Sequence, residues 1–170
     1  MWNDTDIPLA HLITFRSHGT WLHGDARGSI SRFRNRYKST YLPPEVKWLA
    51  VNTARLSGNP VVLSTSQRSC VEAAARETCE FRRWYLHAMN ARTNHVHLVV
   101  SIGKKKPEIA LNAFKSNATR IMKASGCWNK TASPWADKGS IRHLWNEKSV
   151  ARAIDYVLHG QGDELPDFDE

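Results

Sequence analysis

Residues 94–100 read Asn-His-Val-His-Leu-Val-Val, and His95 and His97 in this run carry the strongest chemical signal in the chain. Strand-forming residues follow the pair. Successive side chains of a β-strand point to opposite faces, so the two imidazoles share one face and Val96 points into the core. The rise per residue spaces them roughly 6.5–7 Å apart along the strand. Both can tilt onto one divalent ion at that spacing. Imidazole suits such ions, and two protein ligands leave coordination positions open for a substrate. The plainer alternative is two histidines on the solvated face of a half-buried strand.

The charge balance fits a polyanionic substrate. Lysine and arginine number 24 against 16 acids, a net charge of +8, and the sequence pI is about 9.7. Such an excess points to an anionic partner, most simply nucleic acid. The basic residues cluster. Arg27, Arg32, Arg34, Arg36 and Lys38 crowd one segment, and Lys104, Lys105 and Lys106 follow directly after the histidine run. With Lys115 and Arg120 these are the candidate contacts to phosphates, which position a nucleic acid without reading its sequence. Either basic run alone is equally well read as a solvated face. Seven tryptophans add flat rings able to stack on unpaired bases; several must serve the core, and none is assigned to stacking.

Several elements must position these residues. Leu9–Phe15 reads as a first strand and Val61–Leu63 as a short one. Residues 25–45 form a basic, polar loop ending at Pro43-Pro44, and Val46–Leu56 reads as a short helix. Ser64, Thr65 and Ser66 offer capping hydroxyls to a helix running to about Arg83. Its apolar residues Val71, Ala74, Ala75, Cys79 and Phe81 fall near one face. Trp84–Asn90 and His95–Ile102 read as the two strands of a hairpin turning at residues 91–94. Pro107 opens a helix to Ala124 with Ile109, Leu111, Phe114, Ala118 and Ile121 inward. A linker holding Trp128 and Trp135 leads to a strand at Ser140–Trp145. A last helix runs from Glu147 to about His159, with Gly160 as its stop. Tyr156 lies on that helix. Its ring can serve the core with its hydroxyl at the surface, and Tyr37, Tyr41 and Tyr85 are rival phenols.

A chain of 170 residues suits one domain, so residues 1–170 are expected to form a single unit with an expanded basic loop around residues 25–62. No apolar run reaches membrane-spanning length, and the acidic start, Met1 to Asp6, is unlike a secretory signal. Cys70, Cys79 and Cys127 are odd in number and lack paired spacing, which fits reduced thiols in a cytoplasmic protein and no disulfide framework.

Taken together, these residues resemble the single-tyrosine transposases whose signature is His-hydrophobic-His, and within them the branch of REP-associated tyrosine transposases. Asn94 to Val99 is similar to the signature. Phe114-Lys115 through Ala118-Thr119-Arg120 is similar to the family's following helix. A Trp-containing linker and a helix presenting Tyr156 complete the order, so the resemblance covers roughly residues 9–16 and 64–161. It implies an α+β, ferredoxin-like fold: a central antiparallel sheet, helices mainly on one face, and the tyrosine on the C-terminal helix. It also implies cleavage and rejoining of single-stranded or hairpin DNA with a divalent metal, Mg2+ or Mn2+. His95 and His97 would hold the ion and Tyr156 would attack phosphorus, giving a 5′-phosphotyrosine. A free phenol has a pKa near 10 and needs a nearby cation to ionise at neutral pH. Related enzymes often work as homodimers in which one protomer supplies the tyrosine and its partner the histidines.

This chain also departs from the family. Relatives carry a glutamine four residues after the tyrosine; here Gly160 stands there and can ligate nothing through a side chain. His159 at i+3 lies about 60° from Tyr156 around a helix, and Gln161 at i+5 about 140° away. His159 is therefore the third ligand if the helix continues, or simply a cation at a helix C-terminus. Gln161 serves only if Gly160 breaks the helix and turns the chain back. Relatives often place Met-Pro before Asn-His, where Arg92-Thr93 stands here. Two readings follow: a transposase-type endonuclease, or a domesticated hairpin-DNA-binding protein with little or no catalysis.

Overall fold

The computed structural model describes residues 6–19 and 60–160. The basic loop with Arg27, Arg32, Arg34, Arg36 and Lys38, the expected helix at 46–56, Tyr37, Tyr41 and Gln161 lie outside the described residues. So does most of the expanded segment around 25–62.

Among the described residues four strands form one antiparallel sheet: β1 (Ala10–Arg16), β2 (Tyr85–Ala91), β3 (His95–Ser101) and β4 (Ser140–Leu144), in the order β2-β3-β1-β4. Helices α1 (Thr65–Arg82) and α2 (Pro107–Ala124) connect them, and α3 (Glu147–His159) follows. This is the expected ferredoxin-like α+β architecture. The β2–β3 hairpin is present, with β3 and β1 at the centre, and a bulge at His87 interrupts the β2–β3 register. Val61–Leu63 is not a strand. It is an irregular buried segment whose Val61 N–H donates to the His18 carbonyl (2.8 Å) and whose Leu63 N–H donates to that of Thr93 (2.6 Å).

The helices start where the sequence places their caps. Ser64 and Gln67 form a reciprocal capping box, which satisfies two backbone donors at the start of α1. Pro107 fills the first turn of α2, where its missing N–H costs nothing. The Asn146 side chain accepts from the Ser149 N–H (2.8 Å) at the start of α3.

Alternation along the strands divides the apolar residues into two layers. Ile13, Phe15, Val96, Leu98 and Val100 face α1 and α2, where they join Val71, Ala74, Phe114 and Met122 in the main core. Leu12, Val99 and Leu144 face the other way and meet Ala153, Tyr156 and Val157 of α3. Two of the three described helices thus share a face. Two expected core positions are corrected here. Phe81 is 86% exposed, because it follows Cys79 by two residues, about 200° around the helix. Ile109 is 43% exposed, while its neighbour Ala110 takes the buried position. The linker tryptophans both belong to the core: Trp135 stacks edge-on against Phe15, and its Nε1 donates to the Lys115 carbonyl and to Thr119 Oγ1, both at 3.0 Å. Among the described residues no helix is long and apolar enough to cross a membrane.

Candidate active site

Strand β3 delivers the two histidines to one face as the alternation requires. Their ring centroids are 4.7 Å apart. Val96 between them is fully buried on the opposite face. The central position of β3 gives each histidine a neighbour across the sheet. Arg16 is the β1 partner of His95 and Thr14 that of His97, while Asn90 of β2 flanks His97 on the other side.

Both imidazoles are oriented through Nδ1. Thr14 Oγ1 lies 2.6 Å from His97 Nδ1, and Asn94 Oδ1 lies 2.6 Å from His95 Nδ1. An amide oxygen only accepts, so His95 carries its proton on Nδ1 and presents the Nε2 lone pair. The Thr14 hydroxyl can donate to or accept from His97 Nδ1, so it holds the ring in place under either tautomer. A hydrogen bond to one ring nitrogen that aims the other is the usual support of a metal-binding histidine. His97 is also held neutral: burial first, then the neighbouring His95 and the Arg92 guanidinium, push its pKa down to about 3. A neutral imidazole is the form that ligates.

Helix α3 brings Tyr156 to this pair. It lies across β2 and β3 on the histidine side, and the Asn90 side-chain amide donates to the Val157 carbonyl (3.2 Å), tying the helix to the strand. The Tyr156 ring is 5.5 Å from that of His97, edge to face, and is 9% exposed. Phenol and imidazoles, 59 positions apart for Tyr156 and His97 in the sequence, therefore meet within a single chain.

The remaining sequence candidates divide. Helix α3 ends at His159, and Gly160 departs from helical geometry (φ −98°, ψ 10°). His159 is exposed, and no group of three His, Cys, Asp or Glu side chains fit to hold a metal forms among the described residues. By their donor chemistry, His95 and His97 are the residues that would hold a divalent ion. Lys115 is half-buried and donates to the carbonyls of Ala136 and Lys138, both at 2.9 Å; it fastens α2 to the linker. Arg120 bonds Glu77 (2.6 Å) and Asn117 (2.8 Å) on the α1–α2 side, away from the histidines. Lys104, Lys105 and Lys106 are exposed, but they follow the far end of β3. Tyr85 opens β2 and is 67% exposed. Sequence reasoning missed Thr14, because the β1–β3 register that sets it beside His97 spans 83 positions. It also missed Arg92 as a charge acting on His97. Asn94 could have been found, since it immediately precedes His95.

Residues 59–157 match the family model of IS200-like transposases. A REP-associated tyrosine transposase, solved bound to a REP hairpin, superposes with a TM-score of 0.52 at 10% identity, covering 92% of this chain and 68% of that one. A candidate transposase from Deinococcus radiodurans R1 superposes with a TM-score of 0.50 at 12% identity, covering 93% and 95%. These likenesses extend the fold at low identity. Among curated proteins none matches the chain in sequence. The match to the family model spans more than half of the chain and contains the histidine pair, the hairpin, α2 and the tyrosine, so this protein belongs to the IS200-like transposase family.

Proposed function

We propose that the protein cleaves and rejoins single-stranded DNA at hairpin-bearing sequences, with Tyr156 as nucleophile and a divalent ion, Mg2+ or Mn2+, at His95 and His97. The observation that carries this reading is the convergence of three rings on one sheet face, at 4.7 Å and 5.5 Å. A bound ion would neutralise the phosphodiester and polarise its phosphorus. The protein's own groups do the rest. Asn94 holds His95 in the tautomer that presents Nε2, and Thr14 holds the His97 ring in position. The α3 helix fixes the phenol so that attack needs no search. The Tyr156 oxygen loses its proton and bonds to phosphorus, the P–O3′ bond breaks, and the departing oxygen takes up a proton as a 3′-hydroxyl. The 5′-phosphotyrosine conserves the bond energy, so a later 3′-hydroxyl can reverse the step with another strand.

His159 and Gln161 stand as the two candidates for a third ligand: Gln161 would serve if the chain turns back after Gly160, where α3 ends. The hairpin held by the REP-associated relative makes an imperfect palindrome the partner of choice here. Work on chromosomal DNA would place the protein in the cytoplasm. A homodimer that exchanges α3 between protomers would use the same three rings.

The test is incubation with Mn2+ and a hairpin oligonucleotide from the gene's own flanks. A covalent protein–DNA adduct should form and vanish in Tyr156→Phe. Cleavage that persists without an adduct would remove the phenol from the mechanism. A second reading, a hairpin-binding descendant that no longer cuts, is favoured by Gly160 standing where relatives carry a ligating glutamine. Tight hairpin binding that survives His95→Ala and His97→Ala, with no nicking by the native chain, selects it.

A further inference from the structure

The lysine run that follows β3 does not reach the histidine pair. Ser101, where the strand ends, is about 13 Å along it from His97 at the usual rise per residue, and the lysines lie beyond. There the chain turns at Gly103 (φ 64°), a conformation glycine adopts without strain. The turn meets the C-terminal end of α1. An open cleft of about 410 Å3 lies between them, with Arg82, Arg83 and Trp84 on one side and Lys104 and Lys105 on the other.

Three features separate this cleft from an ordinary solvated face. First, its four cations are gathered from two elements about 20 positions apart in sequence, and none bonds an acid among the described residues. Second, the Arg82 guanidinium stacks over the Trp84 ring at 5.1 Å, which leaves its N–H edge available to an oxygen acceptor. Third, Phe81 immediately precedes Arg82 at the end of α1, and its ring is 86% exposed. Apolar rings stay in water at a cost unless something covers them. Cations that track a backbone beside rings that accept bases are the two components of a single-strand groove.

We infer that the cleft between the end of α1 and the Gly103 turn is a second DNA site, which holds the phosphates of an unpaired flank while a base stacks on Phe81. It rests on the DNA reading above only for the kind of polyanion. It is separate from the reaction centre, so the phosphate it holds is not the one that reacts.

The test uses the full chain in EDTA, without divalent ions, and measures binding by fluorescence anisotropy between 50 and 300 mM NaCl. The probes are a labelled dT20 strand and a 20-base-pair blunt duplex. The variant is Arg82→Gln/Arg83→Asn/Lys104→Gln/Lys105→Gln; asparagine suits the left-handed backbone at Arg83 (φ 57°). Losing about four phosphate contacts should flatten the log Kd–log salt slope for dT20 by about 3 and weaken binding about tenfold or more at 100 mM. The duplex should be affected less. The milder pair Lys104→Gln/Lys105→Gln, both on an exposed turn, should show about half the change in slope. Phe81→Ala should weaken dT20 without altering the slope. An unchanged slope in folded quadruple and double variants overturns the site. An equal loss on the duplex overturns its assignment to single strands. Neither result bears on the Tyr156 adduct, which forms only with metal and is scored separately.

Discussion

The two faces of the sheet are built from the same strands and differ in what they can tolerate. The α1–α2 face is lined by Ile13, Phe15, Val96, Leu98 and Val100 and closed by two 18-residue helices. The α3 face has a much smaller apolar cluster, and its remaining area carries Thr14, His95 and His97 beside Tyr156. One face supplies most of the burial and hence most of the stability. The other holds polar groups in fixed orientations because the first face keeps the strands rigid. The widest separation between the faces should appear with Tyr156→Phe and Phe114→Ala. The former keeps the ring and its packing, so stability should change by no more than about 1 kcal/mol, while adduct formation should fall below about a thousandth of the native rate. Phe114, which is 1% exposed, should cost about 3–5 kcal/mol on truncation. Denaturant unfolding with adduct assays on both variants measures the contrast. A strongly destabilised Tyr156→Phe that still forms adduct would collapse it.

A sharper version compares two hydroxyls. Thr14 Oγ1 holds His97 on the α3 face, whereas Thr78 Oγ1 donates to the Ala74 carbonyl (2.7 Å) and receives the Asn117 amide (3.0 Å) between α1 and α2. Thr14→Val and Thr78→Val should each lower stability by about 1 kcal/mol. Only Thr14→Val should weaken Mn2+ binding, by about 10–100-fold, read by calorimetry on the DNA-free protein. Equal Mn2+ affinity in both variants would leave Thr14 a structural residue.

What the sequence revealed of these faces follows the range of the interactions. The bounds of α2 and α3 were legible because Pro107 and Gly160 act within one turn of the helix they limit. The shared face of His95 and His97 was legible from strand alternation alone. Thr14 was not, since nothing local says that β1 lies beside β3 in that register. Lys115 looked like a phosphate ligand because its acceptors, the carbonyls of Ala136 and Lys138, belong to a linker whose path no pattern reveals. Lys104, Lys105 and Lys106 looked adjacent to the histidines because sequence distance ignores the length of an extended strand. The place of Tyr156 came from resemblance and not from periodicity, which is equally content with a core tyrosine.

Acid should affect both faces through their buried histidines. His11 shares the α1–α2 side with Ile13, is 2% exposed, and has a buried Nδ1 with no hydrogen-bond partner among the described residues. Burial, and then His143, depress its pKa to about 4, against an opposing effect of Glu108. His97 is depressed to about 3. An unfolded histidine takes up its proton near pH 6.5, before either folded one does. The unfolded state therefore binds more protons below that pH, and stability is full above about 6.5 and falls as the pH drops toward 4 and then 3. Urea midpoints at pH 7, 5.5 and 4.5 should decline in that order. Both histidines contribute between pH 6.5 and about 4, so His11→Leu should lessen the decline across that whole range by about half and leave the His97 contribution. An unchanged pH profile in His11→Leu would mean that the α1–α2 face is not acid-sensitive.

The smallest effect is expected at Gly160, and it tests how closely the α3 face is fitted. A Cβ placed there would lie 3.1 Å from Tyr156 Cδ2 and 3.2 Å from Tyr156 Cα, closer than unstrained carbon atoms approach. The Gly160 N–H donates to the Tyr156 carbonyl (2.9 Å), so the chain cannot simply swing away. Gly160→Ala should therefore press on the phenol ring, which already abuts His97 at 5.5 Å. Overpacking of this kind costs about 1 kcal/mol or slightly more when a ring can shift by tenths of an ångström. The expected outcome is a slightly lower urea midpoint, with a change in the Tyr156 ring resonances in NMR and a modest fall in adduct rate. The same methyl on Gly126, whose Cβ would meet nothing within 4 Å but whose φ is 81°, should destabilise through the backbone alone and leave the phenol signals unmoved. If the two variants gave the same ring signals, the close fit between the end of α3 and the tyrosine would have no part in placing the nucleophile.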